Sequence, residues 1–335
     1  MAVLGLGFMG STHWKAARGT KSVAVTAAYS SDPKKLAGDL SAIKGNIGGP
    51  GEVMDVSGIA GYSDLDALLA DPNIDAVDLC LPTDLHESVA VAALRAGKHV
   101  LVEKPMALDG ASADRMIAEA ARAGRVLMTA HVLRFWPDYT RWRDAVRSGQ
   151  HGPLRFAVFR RRCAAPGWSG WLGDPARSGG GAFDLLIHDV DMALHLFGKP
   201  LAVSAVGYED LAAGIDGIAS VWLYPGNASV VITGGWHHSG EYPFQAEFTV
   251  SLQNATLDFN TAGRRLTLYG GGELPPLPDT DGYTAEIEYF GECCRTGKAP
   301  EICPPEESAM AVKLMNMMLD SRKRNGEAIE CSKLA

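Results

Sequence analysis

No stretch of the 335 residues stays apolar over the roughly 20 positions that a membrane-spanning helix needs. The first residues, MAVLGLG, show neither the basic segment nor the small-residue cleavage site of a secretory signal. Blocks of Lys or Arg are also missing, and 31 basic against 39 acidic residues give a formal net charge of −8. We therefore expect a cytoplasmic protein that binds neither membranes nor nucleic acids.

Cysteine is scarce, and the spacing of the six cysteines matches no metal-binding pattern. The neighbours Cys293 and Cys294 cannot easily bridge each other, so free thiols are expected. Repeats and low-complexity tracts are absent too. With 47% hydrophobic residues the chain can bury a large core, and its length suggests two domains.

Up to about residue 130, short apolar runs alternate with helical patterns. The runs AVLGLG, SVAVTAAY, AVDLCLP, HVLVEK and RVLMTAH lack the alternation of a half-solvated strand, which predicts strands covered on both faces. Helices are predicted in DLDALLADP, with Ser63 as a candidate N-cap, and in LHESVAVAALRAG, ending at Gly97. This order is typical of an α/β, Rossmann-like, doubly wound parallel sheet.

Beyond residue 150 the pattern changes to strands separated by turn residues, with one early helix and two late ones. The strand-like runs are LRFAVFRRR, LAVSAVGYED, GIASVWLYP, ASVVITGGW, FQAEFTVSL, ATLDFN and RRLTLYG. They predict an α+β C-terminal domain with a large, mostly antiparallel open sheet. We therefore expect a dinucleotide-binding domain over residues 1–130 and a substrate-binding and oligomerisation domain over 131–335.

The stretch GLGFMG places Gly5, Gly7 and Gly10 as G-x-G-x-x-G between the first strand and a helix. Such a turn needs glycine for its backbone angles, for close approach of a pyrophosphate and for tight packing of helix on strand. The helix N-terminus also favours negative charge. This context favours dinucleotide binding by the turn, including Phe8 and Met9, over a purely structural glycine turn.

The cofactor is usually selected about 20 residues later, where an acidic side chain holds the ribose 2′-hydroxyl. Here that position falls on Ser30 and Ser31, with Lys34 and Lys35 close behind. Hydroxyls and lysines accept a 2′-phosphate, which favours NADP. Asp32 keeps NAD open, since a shift of two residues lies within the uncertainty of a strand end.

A lysine ends the fifth predicted strand, in HVLVEKP, at the sheet edge where open α/β folds bind ligands. Near a nicotinamide, Lys104 would hold a substrate oxygen, and desolvation would bring its pKa towards proton transfer. The alternative is an exposed lysine in a salt bridge with Glu103.

Four ordered blocks, GLGFMG, LPTDLHESVAVAALRAGKHVLVEKPMAL, HVLRFWPDY and SGGGAFDLLIHDVD, resemble the Gfo/Idh/MocA oxidoreductases. The resemblance implies substrate binding and proton transfer for Lys104 and His188, and an orienting role for Asp184. It also implies a dimer or tetramer formed through the C-terminal sheet. The cofactor-binding residues expected besides the glycine turn are Ser30, Ser31, Leu81, Pro82, Thr83, His86, Glu103 and Lys104. Those expected to bind substrate are Lys104, Arg134, Trp171, Asp184 and His188.

The helix in SGGGAFDLLIHDVDMALHLFG carries Asp184, His188 and Asp191 at spacings of four and three, which puts them on one face. A carboxylate beside an imidazole fixes its tautomer, as a general base requires, so His188 could take the proton of a substrate hydroxyl. Two alternatives remain open, an acidic helix start with buried histidines and a metal site on the three residues. The metal is disfavoured because a further ligand cluster is missing. His195 is expected to be a packed or capping residue.

Several other residues have both a structural and a functional interpretation. Thr83 could cap a helix, and His86 could face the cofactor. Arg134 and Tyr139 could bind substrate hydroxyls or link the domains, and His131 is equally ambiguous. Trp168, Trp171 and Arg177 lie in a glycine-rich loop where aromatic faces could pack on a sugar or anchor the loop. Trp222 and Trp236 are expected in the core or an interface.

Together these features predict an NAD(P)-dependent oxidoreductase acting on a secondary alcohol or ketone of a sugar, cyclitol or related polyol. One alternative is a glycoside hydrolase of the same superfamily that keeps NAD bound and oxidises the sugar transiently. A second is a non-catalytic sugar or cofactor sensor. Lys104 and the Asp184–His188 pair disfavour a sensor, which needs no proton relay.

Overall fold

A computed structural model describes residues 1–45 and 51–334 and divides the chain into two compact units. The first comprises residues 1–135 and 280–309, and the second 136–279 and 310–335. The first break, at residue 135, lies close to the boundary expected near 130. The return of residues 280–309 to the first unit differs from the single boundary drawn from the sequence.

The first unit contains a six-stranded parallel sheet in the order β3-β2-β1-β4-β5-β6. Its strands are β1 (Ala2–Leu4), β2 (Ala27–Tyr29), β3 (Ala60–Tyr62), β4 (Ala76–Leu79), β5 (His99–Glu103) and β6 (Leu127–Ala130). The order reverses between β1 and β4, as in a doubly wound Rossmann fold. The predicted fold is confirmed, with β3 as a strand that the sequence patterns did not indicate.

Helices connect these strands. They are α1 (Phe8–Ala17), α2 (Pro33–Leu36), α3 (Leu65–Ala70), α4 (His86–Arg95), α5 (Gly110–Ala123) and, later in the chain, α9 (Gly282–Thr296). The expectation that Ser63 caps α3 is wrong, because the cap is Asp64, whose carboxylate accepts from the Asp66 and Ala67 amides. A carboxylate there also complements the helix dipole.

Apolar packing and backbone hydrogen bonds explain why α9 belongs to the first unit. Ile287 and Phe290 are fully buried in a cluster that also contains Leu101 and Met128. The Glu288 carboxylate accepts from the Lys21 amide at 2.6 Å. These contacts join residues far apart in sequence, which a pattern of local hydrophobicity cannot reveal.

The second unit contains an eight-stranded sheet in the order β13-β12-β11-β7-β10-β9-β8-β14. Its strands are β7 (Leu154–Ala164), β8 (Ala202–Asp210), β9 (Ile215–Leu223), β10 (Ser229–His238), β11 (Gln245–Leu252), β12 (Thr256–Asn260), β13 (Thr267–Tyr269) and β14 (Ile329–Glu330). Every neighbouring pair is antiparallel except β7 and β10, which run parallel. The predicted mostly antiparallel sheet is confirmed.

One face of this sheet packs against α8 (Gly180–Phe197), and its side chains, including Phe159, Trp222 and Ile232, are fully buried. The remaining helices are α6 (Pro137–Arg147), α7 (Pro175–Ser178) and α10 (Pro305–Lys323), whose first residues belong to the first unit. Trp222 and Trp236 are core residues, at 0% and 4% exposure, as expected. No helix of the described residues is long and apolar enough to cross a bilayer.

Candidate active site

Two glycines of the turn after β1 are required by close packing. Gly5 has a φ of +94°, and a Cβ there would lie 2.4 Å from the Cys80 carbonyl oxygen. A Cβ on Gly10 would lie 1.9 Å from the Gly5 carbonyl oxygen. Both distances are far below van der Waals contact, so only glycine lets α1 approach β1 and β4 this closely.

Gly7 differs, because no described atom lies within 4 Å of where its Cβ would be. It is the N-cap of α1, with a φ of −92°, so its own backbone does not require glycine. The space beside it lies at a helix N-terminus, where amide groups and the helix dipole favour an anion. The turn therefore fits a dinucleotide pyrophosphate, with Gly7 leaving room for it.

The end of β2 presents hydroxyls rather than a carboxylate. Ser30 is 7% exposed, and its hydroxyl accepts from the Asp32 amide at 3.1 Å. Asp32 is the N-cap of α2, and its carboxylate accepts from the Lys34 amide at 2.9 Å. Ser31 and Lys34 are exposed. Asp32, the acidic residue nearest in sequence to the end of β2, therefore already caps α2.

His86 connects the loops that follow β4 and β5. Its side chain is buried, with Nδ1 2.9 Å from the Pro105 carbonyl oxygen and Nε2 2.9 Å from the Leu81 carbonyl oxygen. Burial lowers the pKa of His86, and the two carbonyl contacts oppose this effect. Both ring nitrogens face protein oxygens, which favours a structural role over direct contact with the cofactor.

Thr83 was expected to cap α4, the helix that begins at His86, and this expectation is wrong. Pro82 occupies the N-cap position of the short 3-10 turn Thr83–Leu85, so Thr83 lies inside the turn. Leu85, not Thr83, is the N-cap of α4. The 3-10 turn before α4 moves its start to His86, a detail that the Thr-Asp-Leu-His pattern does not indicate.

Lys104 follows β5 at the carboxyl edge of the parallel sheet, as predicted. It is half-buried, whereas Glu103 is 6% exposed. The Glu103 carboxylate accepts from the Lys104 backbone amide at 3.0 Å. Burial raises the pKa of Glu103, but contacts with His13 and Lys104 outweigh it, and the net pKa is lowered. Glu103 thus fixes the backbone from which the Lys104 side chain projects.

His13, a fully buried histidine on α1, was not predicted from the sequence. Its Nδ1 lies 2.9 Å from Asp78 Oδ2, and its Nε2 lies 3.1 Å from Glu103 Oε1, at an angle poor for a hydrogen bond. A signal was present, because Asp78 interrupts the apolar strand AVDLCLP and a buried carboxylate requires a partner.

His13, Asp78 and Cys80 are the one group of potential metal ligands among the described residues, with ligand atoms within 4.8 Å of one another. Zn²⁺ bonds of about 2.0–2.2 Å place tetrahedral N and O ligands about 3.4 Å apart. The observed 2.9 Å between His13 and Asp78 is a hydrogen-bonding distance. The cluster is therefore better described as an ion pair beside a thiol.

In the second unit, a residue distant in sequence holds the start of α8. The Asp216 carboxylate, on β9, accepts from the Ala182 amide at 2.8 Å and from the Arg322 guanidinium at 2.6 Å. A Cβ on Gly180 would lie 2.6 Å from the same carboxylate. Asp216 thus acts as a tertiary N-cap, which the glycines allow to approach.

The exposure along α8 separates two of its polar residues from the rest. Every residue from Gly180 to His195 is buried except Asp184 and His188, which are half-buried. These two are four apart and share one face of the helix. Asp191, the third member of the predicted stripe, is 1% exposed.

A buried ion pair fixes the rotation of α8 about its axis. The Asp189 carboxylate accepts from Arg161 on β7 through two hydrogen bonds of 2.8 and 3.0 Å, and both side chains are buried. Burial raises the pKa of Asp189 while Arg161 opposes the shift. With Asp189 anchored to the sheet, the neighbouring His188 is turned towards the half-buried face. The sequence analysis did not single out Asp189 or Arg161.

Three of the other candidates take structural positions. Arg134 is fully buried and donates to the Ile302 carbonyl oxygen at 2.9 Å and to Glu307 at 2.6 Å. These contacts use its guanidinium to hold the chain and favour a structural role, while substrate binding by Arg134 stays a prediction. Tyr139 is 4% exposed, and burial raises its pKa to about 12. His195 is buried against Arg147, as expected.

The tryptophans of the glycine-rich loop divide between anchoring and exposure. Trp171 is partly buried and packs against the cluster of Cys163, Leu172, Leu185 and Trp236, which supports the interpretation as a loop anchor. Trp168 is 39% exposed. Within the described part of the chain none of the six cysteines forms a disulfide.

With this geometry established, two family models match the chain. Residues 1–131 match the Gfo/Idh/MocA oxidoreductase family with its NAD-binding Rossmann fold, and residues 139–258 match the Gfo/Idh/MocA C-terminal domain. The chain therefore belongs to this family and is an oxidoreductase of the dehydrogenase class.

Individual proteins agree with this membership. An uncharacterised oxidoreductase of Rhizobium meliloti is 32% identical over 78% of this chain and 82% of its own. A D-xylose 1-dehydrogenase (NADP(+)) of Haloferax volcanii is 28% identical over 80% of this chain and 84% of its own. The crystal structure of an aldose-aldose oxidoreductase from Caulobacter crescentus with glycerol superposes with a TM-score of 0.84, at 25% identity, over 98% of both chains.

Proposed function

We propose that the protein is an NADP-preferring dehydrogenase or reductase that acts on a secondary alcohol, or the matching ketone, of a sugar, cyclitol or related polyol. The half-buried Asp184–His188 pair carries the proposal, because the rest of α8 up to His195 is buried. Titratable groups on an otherwise buried helix lower the stability of the fold, so their presence at an accessible position indicates a functional role. The names of the relatives, a xylose dehydrogenase and an aldose oxidoreductase, support a sugar-like substrate.

The first unit would hold the dinucleotide through the glycine turn, with Gly7 leaving room for the pyrophosphate. A bound nicotinamide supplies the hydride chemistry. Lys104, at the carboxyl edge of the sheet, would donate a hydrogen bond to the substrate oxygen. This contact orients the substrate and stabilises negative charge on the oxygen as its proton leaves.

His188 would act on the substrate proton. In the oxidation direction the hydroxyl proton goes to an imidazole nitrogen of His188 as the carbon loses its hydride, and the reverse reaction returns both. Asp184, one helical turn away, would orient the imidazole and stabilise the imidazolium. The Arg161–Asp189 ion pair supports this role by holding the helix in the rotation that keeps His188 accessible.

Preference for NADP is proposed from the end of β2. A carboxylate near the ribose would repel a 2′-phosphate, but Asp32 already caps α2 and the exposed groups are Ser31 and Lys34. The substitution Ser31→Asp should lower the affinity for NADP and spare that for NAD. Titration of cofactor fluorescence with both cofactors measures this, and equal affinities in both proteins would remove the basis for the preference.

A homo-oligomer is proposed through the open face of the second sheet. Phe156, Val206, Tyr208, Val221 and Leu223 share one face and are 41–67% exposed. Exposed apolar patches of this kind mark interaction sites. Light scattering should give a dimer or tetramer, and Val221→Glu should shift it towards the monomer.

The main experiment is a screen of sugars and polyols with NADP and NAD, followed by absorbance of the reduced cofactor. Lys104→Ala and His188→Ala should lower turnover by about 10²–10⁴-fold while cofactor affinity stays near that of the wild type. Lys21→Ala is the matched control for Lys104→Ala, because Lys21 is an exposed lysine of the first unit. Release of free sugar without net reduction would indicate a hydrolase, and sugar binding without turnover a sensor. Normal turnover in both active-site variants would refute the assigned roles.

A further inference from the structure

Three elements of the first unit meet at one buried imidazole. His13 lies on α1, Asp78 on β4 and Glu103 at the end of β5. The exposure of these side chains is 0%, 0% and 8%. The imidazole is therefore enclosed between two carboxylates at the carboxyl edge of the parallel sheet, next to the glycine turn.

The second carboxylate links this cluster to Lys104. One oxygen of Glu103 lies 3.1 Å from His13 Nε2, and the other accepts from the Lys104 amide at 3.0 Å. A carboxylate that is hydrogen-bonded at one oxygen and paired with an imidazolium at the other has little freedom to rotate. A displacement of His13 would thus change the position of Glu103 and, through it, of the Lys104 backbone.

The charges around His13 favour its protonated form. Burial alone would lower the pKa of His13, but the Asp78 carboxylate outweighs it, and the net pKa lies well above the usual 6.5. The groups that face it are Asp78 on β4 and Cys80 just after it, Glu103 at the end of β5, and Tyr283 on α9, whose ring lies 5.9 Å away. Lys104, which follows Glu103, acts on the Glu103 carboxylate. Burial raises the pKa of Tyr283, and the charges of Glu103 and of Glu286, also on α9, raise it further.

We propose that His13 is a positioning residue, whose imidazolium holds Glu103 and thereby sets the placement of Lys104 for hydride and proton transfer. The inference rests on the proposed role of Lys104 in contacting the substrate oxygen. Asp78 has a separate part, since it keeps the proton on His13 without touching Lys104. Loss of the Asp78 charge should therefore make the placement of Lys104 depend on pH.

The test uses Asp78→Asn, which keeps the shape of the side chain and removes its charge. Without the Asp78 charge, burial weighs more, and the pKa of His13 should fall from its raised value. We expect kcat to fall about 10- to 100-fold as the pH rises through this new ionisation, because a misplaced catalytic group costs about that much. The affinity for the cofactor should stay within about twofold. Asp71→Asn, which removes a carboxylate paired with Tyr62, is the control and should leave the pH profile unchanged.

A second measurement does not depend on turnover. In protein labelled with ¹⁵N-lysine and ¹⁵N-histidine, the Lys104 amide signal should titrate together with the His13 ring in Asp78→Asn, at a lower pH than in the wild type. If the His13 ring titrates while the Lys104 amide stays still, the proposal is overturned. If the wild type is inactive on every substrate while Asp78→Asn shows this coupled titration, the result counts against the proposed function alone.

The variant His13→Gln keeps the proposal testable if Asp78→Asn does not fold. Gln is neutral at every pH, so kcat should fall by the same factor throughout the pH range and show no new ionisation. Wild-type kcat in His13→Gln would overturn the positioning role. Glu103→Gln should show the same loss, because it removes the charge that attracts the imidazolium.

Discussion

The glycine turn gives the sharpest prediction, because two of its glycines are required for different physical reasons. In Gly7→Ala, the new methyl group meets no described atom within 4 Å, and the backbone there already has a φ that alanine adopts. The folded state should therefore be almost unchanged, and the less flexible unfolded chain adds at most about 0.4–1 kcal/mol of stability. The methyl group would, however, occupy the space assigned to the pyrophosphate.

The loss of affinity follows from the cost of inserting a methyl group into a filled site, about 1–3 kcal/mol. At 1.4 kcal/mol per factor of ten, the dissociation constant for the cofactor should rise about 5- to 140-fold. Gly10→Ala should instead destabilise the folded state. Its methyl group would lie 1.9 Å from the Gly5 carbonyl oxygen, so α1 must move and the unfolding free energy should fall by about 3 kcal/mol or more.

Thermal unfolding and cofactor titration separate the two variants. For a unit of this size, about 3 kcal/mol corresponds to a melting temperature lowered by about 6–12 °C in Gly10→Ala. Gly7→Ala should melt within about 4 °C of the wild type and bind cofactor weakly. Tight cofactor binding by Gly7→Ala, at unchanged stability, would contradict the placement of the pyrophosphate beside Gly7.

Three further predictions concern buried charges. Asp189→Asn should lower the unfolding free energy by about 3–5 kcal/mol, because it leaves Arg161 buried without its counter-charge. Unfolding in denaturant measures this change, and a loss under about 1 kcal/mol would contradict the prediction. Arg134→Met should cost about 1–3 kcal/mol through the unpaired Ile302 carbonyl group, with the substrate KM unchanged; a raised KM at unchanged stability would restore Arg134 as a substrate ligand. Because the pKa of His13 is raised in the folded state, its contribution to stability is complete below about pH 6.5 and is lost as the pH rises through the higher folded pKa. His13→Asn should lack this slope in denaturation measured between pH 6 and 9, and an identical slope in both proteins would refute the assignment.

Local patterns in the sequence were sufficient for most of the fold. The five predicted strands of the first unit and the seven of the second are present, and β3 and the two-residue β14 were missed. Both are short, and β3 lacks an apolar run of its own, as its residues are half-buried or exposed. Periodicity detects a strand through its buried side chains, so a strand paired mainly through its backbone escapes it.

The site was predicted where its residues are close in sequence. The spacing of Gly5, Gly7 and Gly10 predicted a turn, and in the structure close packing requires glycine at positions 5 and 10. The four-residue spacing of Asp184 and His188 predicted a shared helix face. The contacts of Arg134 were not predicted, because its partners Ile302 and Glu307 lie 168 and 173 residues away in the sequence.

The sequence alone determined the two fold classes, the glycine turn and the positions of Lys104 and His188, because these depend on periodicity and on spacings within one element. Tertiary structure decided which buried charges meet. It joined His13 to Asp78 and Glu103, anchored Asp189 on Arg161, and returned residues 280–309 to the first unit. Each of these contacts joins separate elements of the fold, and the energy of a buried charge depends on its partner, which no local pattern specifies.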